Sequence, residues 1–288
     1  MADFLSTLQT SAVALGIAVA LLGLCVGSFL NVVIHRLPLM MEAEWRVECA
    51  ALEGREAPVQ ERFNLFTPPS RCPSCKAPVR PWQNVPLVSW LALRGKCAGC
   101  GTRISARYPM VEILGGALAV LMAWRFGYSP ALGAALVYAW ALLALTFIDY
   151  DTQLLPDDIT LPLLWLGLLA NAAGFYTDLR SAVVGAAAGY LVLWLVYWAF
   201  KLIARKEGMG YGDFKLLAAI GAWTGWQVLP FVIVLSAGLG AVIGSIALWA
   251  TRKDSGSRIP FGPFLALGGI GALVWGPQAI HAWLRMPL

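Results

Sequence analysis

The sequence predicts an all-α polytopic membrane protein, with about eight transmembrane helices and a small cytoplasmic loop domain that binds zinc. Three observations lead there. Of the 288 residues, 59% are hydrophobic and only 13% charged, about half the charged share of an ordinary soluble domain. The apolar residues gather into eight runs with short polar connections. The single long polar stretch, residues 35–108, holds two CxxC pairs.

Residues 11–34 open the series, and about 20 apolar residues suffice to cross a bilayer. The flank before them carries Asp3 and no Lys or Arg. It lacks the basic n-region of a cleaved signal peptide, so the run is expected to stay as an anchor. Residues 35–108 follow with eleven Lys/Arg and six Glu. Their first part, 41–55, is Glu/Arg-rich and predicts a helix, and the second part is Pro-rich and irregular. The remaining apolar runs are 109–125, 130–148, 159–175, 181–203, 213–226, 228–250 and 261–284, of which 213–226 is short for a full span. The expected domains are therefore an anchor (1–34), a loop domain (35–108) and a seven-helix membrane core (109–288).

Charge orients this map. Loops 35–108, 149–158, 201–213 and 251–260 hold seventeen Lys/Arg, whereas the opposite face holds only Arg125, Arg180 and Arg285. Basic residues concentrate in cytoplasmic loops, which puts the large loop inside and the N-terminus outside. The net charge of +5 thus reports topology in a lipid bilayer and no nucleic-acid partner. No Gly-rich loop follows a strand, so no nucleotide-binding signature is present. Gly185 and Gly189, four residues apart, predict close helix packing. Trp124, Trp223 and Trp226 lie near helix ends, as residues of an interfacial aromatic belt do.

Cys72, Cys75, Cys97 and Cys100 form CxxC-x21-CxxC. Two such knuckles present four thiolates to one ion, the ligand set of a closed tetrahedral zinc site. Such a site is structural, holding together a loop with little core of its own.

Two carboxylates carry the candidate chemistry. Asp149 ends the run 137–148, and Asp213 follows the glycine-rich stretch 208–212 and opens the run 213–226. Ionisable groups at such borders are costly and mark function. Gly210 and Gly212 leave room for close backbone approach. Two carboxyl groups that hold one proton between them can activate a water, so the pair suggests an aspartyl protease built in a membrane. Asp213 starts a helix beside Lys215 and is the expected base; Asp149 is the expected acid. Asp157 and Asp158 are expected helix caps. Glu112, inside the second run, is either an interhelical contact or a substrate-contacting group.

At these residues the chain resembles the type IV prepilin leader peptidase/N-methyltransferases, membrane aspartyl proteases of the GxGD type. The likeness runs through nearly the whole length: Gly27-Ser28-Phe29-Leu30-Asn31, Arg36-Leu37-Pro38, the four-cysteine loop, Arg107-Tyr108-Pro109 with Glu112, Asp149 to Asp157, Gly210-Tyr211-Gly212-Asp213, and Pro260-Phe261-Gly262-Pro263. One departure is Arg71, where a His is frequent. The resemblance implies cleavage of the basic leader of prepilins and pseudopilins after a Gly, with Asp149 and Asp213 as the catalytic pair. It further implies methylation of the new N-terminal residue, usually Phe, by S-adenosylmethionine, in the inner membrane of a bacterium that builds type IV pili or secretes by a type II system. These residues do not locate the methyl-donor site; the 35–108 loop is preferred. The alternatives are a GxGD protease without methyltransferase activity, for which the cysteine loop is not expected, and a zinc-containing scaffold or transporter.

Overall fold

The described residues of the computed structural model, 2–56, 62–205, 209–251 and 260–284, hold ten α-helices and no sheet. Gly208 and the basic residues Lys206, Arg252, Lys253, Arg258 and Arg285 lie outside them. The helices are α1 (Ala2–Thr10), α2 (Ala12–Leu52), α3 (Val88–Ala92), α4 (Arg107–Phe126), α5 (Pro130–Thr152), α6 (Asp157–Ala172), α7 (Leu179–Ala204), α8 (Tyr211–Thr224), α9 (Leu229–Thr251) and α10 (Gly262–Leu284). Eight of these, α2 and α4 to α10, coincide with the eight apolar runs.

Five are long and apolar enough to cross a membrane: α2, α4, α5, α7 and the Trp226–Ile243 stretch. The eight expected spans are therefore unequal. At 1.5 Å per residue, the 16 residues of α6 and the 14 of α8 reach only about 24 and 21 Å, against about 30 Å of hydrocarbon. The described apolar part of α10, Gly262–Gly276, is also shorter.

The chain folds as two compact units, Met1–Tyr128 and Ser129–Leu288. In the first, α2 runs unbroken through Pro38 for 41 residues, so the expected helix over 41–55 continues the apolar one. It packs on α4 through glycines: a Cβ on Gly23 would stand 2.5 Å from the Gly115 carbonyl oxygen, and one on Gly27 would stand 2.7 Å from the Glu112 Cα. Such backbone approach replaces the hydrophobic drive that lipid does not supply. Arg36, buried, donates to the carbonyls of Asn64 (2.9 Å) and Pro68 (2.6 Å) and lies over the Phe63 ring. It pins the returning loop to α2.

In the second unit, α8 is the core. Leu216 to Thr224 are all buried, packed among α6, α7 and α10. Its contact with α7 is backbone to backbone, since Gly185 and Gly221 leave no space for a Cβ on either and Gly189 sits on Leu217. Trp223 corrects an expectation. Trp124 and Trp226 are exposed, but Trp223 is only 1% exposed; its indole covers Gly167 and donates to the Leu163 carbonyl at 2.7 Å. A Trp near a helix end belongs to the core when that helix is itself enclosed. The last carbonyls of α8, orphaned by geometry, are met by Asn171, whose amide donates to Ala222 (2.7 Å) and Trp223 (3.1 Å).

Candidate active site and metal centre

Three helix ends in the second unit meet at the candidate pair. α5 closes with Asp149 in its last turns, and Gln153, left-handed at φ 56°, donates its N–H to the Asp149 carbonyl. Asp149 is buried, and its Oδ2 accepts the N–H of Gly262 at 2.9 Å. That N–H is one of the four a helix start cannot satisfy internally, so the first residue of α10 serves as a donor to the carboxylate. Asp213 lies in the first turn of α8, is also buried, and its Oδ1 has no hydrogen-bond partner among the described residues. The charge of Asp149 reaches Asp213. The two residues are 64 apart in sequence, yet both are enclosed and the charge of the first reaches the second.

The glycines before Asp213 do different work. Gly212 is where the α5–α6 loop arrives: a Cβ there would stand 2.7 Å from the Leu155 Cβ. Gly210, at the N-cap position with φ −85°, needs no unusual backbone. Among the described residues a Cβ on it would meet Asp213 Oδ2, at the ordinary contact distance of 4.0 Å. Lys215 turns elsewhere. Its Nζ donates to both carboxylate oxygens of Asp157 at 2.7 Å, which removes the support it was expected to lend to Asp213 as base. Asp157 is the first residue of α6 rather than its side-chain cap.

In the first unit, the Sγ atoms of Cys72, Cys75, Cys97 and Cys100 all lie within 4.8 Å of one another, with Cys72–Cys100 at 3.8 Å and Cys75–Cys97 at 3.9 Å. A tetrahedron of ~2.3 Å zinc–sulfur bonds has S···S edges of ~3.8 Å. The donor set fits zinc. Two similar knuckles build it: Cys72 N–H to Ala77 and Lys76 N–H to Cys72 in one, Cys97 N–H to Thr102 and Gly101 N–H to Cys97 in the other. Hydrogen bonds to the Thr102 hydroxyl, and then to its N–H, bring the Cys100 thiol down to about 6, whereas Cys75, despite the Ala77 backbone bond that lowers it, is pushed up to about 11 by the Cys100 and Cys72 thiols.

Glu112, also in the first unit, is buried on α4, and its Oε2 accepts the N–H of Leu87 at 2.8 Å. Its contact is therefore with the chain leading into α3 rather than with a neighbouring long helix.

Family models match both parts of the chain: the bacterial peptidase A24 N-terminal domain over residues 21–126 and the type IV leader peptidase family over 136–245. Curated relatives extend the match to nearly full length. The chain is 53% identical to a prepilin leader peptidase/N-methyltransferase of Stutzerimonas stutzeri over 96% of both chains. It is 54% identical to one of Pseudomonas aeruginosa over 92% of both.

The chain belongs to the type IV leader peptidase family.

A relative in Burkholderia pseudomallei of the same description shares 51% over 88% of this chain and 84% of its own. No solved structure matches. For a leader-peptidase family member, the arrangement of two enclosed carboxylates is chemically suggestive. One can take a proton from water while the other protonates the departing amine. The element that sequence reasoning left without a role is Gly262. It stood within Pro260-Phe261-Gly262-Pro263, and nothing local shows that its N–H reaches a carboxylate 113 residues earlier. The signal available was a glycine between prolines at the start of an apolar run.

Proposed function

We propose that this chain is the membrane-embedded aspartyl endopeptidase of its cell for type IV prepilins and pseudopilins, with Asp149 and Asp213 as the catalytic pair. The observation that carries the reading is the enclosure of these two carboxylates together, one held by the Gly262 N–H and the other with Oδ1 unpartnered. A water held between them is activated by the ionised member, and the other donates its proton to the leaving nitrogen. The substrate is cut after the Gly that ends its basic leader, at the cytoplasmic face of the inner membrane, with this chain's N-terminus outside. The lopsided Lys/Arg distribution supports that orientation.

The four cysteines hold a structural zinc that fixes the loop domain over 35–108. The released N-terminal residue is then methylated from S-adenosylmethionine, an activity that the relatives' names support.

The test is a single assay. Purified protein in detergent is given a prepilin and methyl-labelled S-adenosylmethionine, and both cleavage and label on the new N-terminus are followed. Asp149→Asn and Asp213→Asn are each expected to abolish cleavage at unchanged protein level and zinc content. The double variant should be no worse, because the two act as a unit. The pH–rate profile of the parent is expected to be bell-shaped. Substantial cleavage by either single variant would overturn the pair. Cleavage without label transfer would remove the methyltransferase.

A further inference from the structure

Between the 3-10 turn Pro81–Asn84 and Leu93, the first unit displays an apolar surface that its own packing does not cover. Val88 is 62% and Leu91 65% exposed, with Trp82 and Val85 exposed beside them. An open groove of about 390 Å³ separates α3 from the first turns of α4, with Trp90 and Leu91 on one wall and Met110 and Ile113 on the other. The second wall belongs to a helix long and apolar enough to cross the membrane. We propose that residues 81–93 lie in the bilayer interface, with Trp82, Val88 and Leu91 among the acyl chains and lipid filling the groove against α4.

Three independent observations select lipid as the occupant. The first is depth. The Leu87 N–H is tied to Glu112 Oε2 at 2.8 Å, and Glu112 stands five residues beyond Arg107, the start of α4. At 1.5 Å per residue that is about 7.5 Å along the helix, and interfacial helices sit ~5–10 Å into the headgroup–acyl boundary. The second is continuity, since the groove runs directly onto the exposed apolar side chains of α4, Met110, Ile113 and Leu114. The third is charge. Residues 62–111 carry eight Lys/Arg and not one Asp or Glu. Arg80 before the segment and Arg94 and Lys96 after it are exposed, placed to meet anionic headgroups while the apolar side chains go deeper. Glu112, an acid otherwise anomalous in a membrane helix, thereby has a task. It accepts the Leu87 N–H in the middle of the segment and sets its depth.

The consequence is that the four-cysteine module, whose second pair begins at Cys97, three residues after Arg94, is held at the membrane surface.

The experiment places a photoreactive p-benzoylphenylalanine in turn at Val88, Leu91, Leu195 and Glu48 of the full chain. Leu195 is exposed on α7, a spanning helix; Glu48 is exposed on the polar part of α2. Each protein is irradiated in nanodiscs of phosphatidylethanolamine and phosphatidylglycerol, with and without a prepilin, and adducts are identified by mass. Phospholipid adducts at positions 88 and 91 are expected within about threefold of the yield at 195, and at least tenfold above that at 48. Yields at 88 and 91 no higher than at 48 would overturn the proposal. So would replacement of the lipid adducts by prepilin adducts when substrate is added, which would make the groove a substrate site. Glu112→Gln, which can still accept from Leu87 N–H, should keep the lipid adducts, whereas Glu112→Leu should lower them at least threefold.

Discussion

Replacing Gly262 by Ala tests the candidate site without replacing either carboxylate. An added Cβ would stand 2.6 Å from Asp149 Oδ2, 3.0 Å from its Cγ and 3.3 Å from its Cβ. The Asp149 side chain or the start of α10 must then yield by roughly 0.5–1 Å, since a buried methyl cannot overlap a close-packed neighbour. The 2.9 Å bond from the Gly262 N–H stretches or breaks with it. A displacement of ~1 Å at reacting groups costs up to ~100-fold in rate, or about 2.7 kcal/mol. A hydrogen bond to a charged group contributes ~1.5–3 kcal/mol, and the two routes agree. Gly262→Ala is expected to cut prepilin cleavage by about 10- to 100-fold, read as initial rates in detergent, with zinc content unchanged. The control is Gly133→Ala on the same helix as Asp149, where a Cβ meets nothing within 4 Å and the rate should hold. A folded Gly262→Ala protein cleaving within twofold of the parent would refute the reading that this N–H positions Asp149 for catalysis.

Replacing Cys72 or Cys97 with Ser should lower bound zinc and loosen the loop domain, followed by metal analysis and limited proteolysis; full zinc in a protein lacking both Cys72 and Cys75 would refute the site. Asp157→Asn weakens an ion pair whose side chains are 32% and 51% exposed, worth at most about 0.5–1 kcal/mol. Cleavage should therefore survive it, and a large loss of activity would make Asp157 part of the chemistry. Asn171→Ala strands the Ala222 and Trp223 carbonyls and the Tyr176 and Thr177 N–H groups. At ~1–3 kcal/mol for a buried unmet group, thermal unfolding should show a loss of about 3 kcal/mol, and an unchanged midpoint would show that these groups find other partners.

What could be read along the chain was whatever is one-dimensional. Apolar run length marked eight helices, and the run 213–226 was already visible as short. Ligand spacing marked the cysteines, and misplaced charge singled out Asp149 and Asp213. Contacts that depend on how helices rotate against one another were not legible. Lys215 stands two residues from Asp213 but reaches Asp157, 58 residues away, because side chains at i and i+2 point to different faces of a helix. Trp223 looked interfacial because position in a run shows nearness to an end, not which neighbours enclose it. The Gly262 donor was hidden for the same reason: a backbone N–H has no residue type, and only the fold aims it.

The enclosure of α8 bears on how this protein meets its solvent. A helix about 9 Å shorter than the hydrocarbon thickness would, if it faced lipid, thin the bilayer or tilt, at a cost for each ångström of mismatch. Here α6, α7 and α10 stand around it, and Asn171 supplies at its far end the hydrogen bonds that water would give. Asp213 therefore rides on an element that is not exposed to lipid. Changes in acyl-chain length or membrane tension load the long helices first, α5 with Asp149 among them, whereas Asp213 on the enclosed α8 is shielded from them.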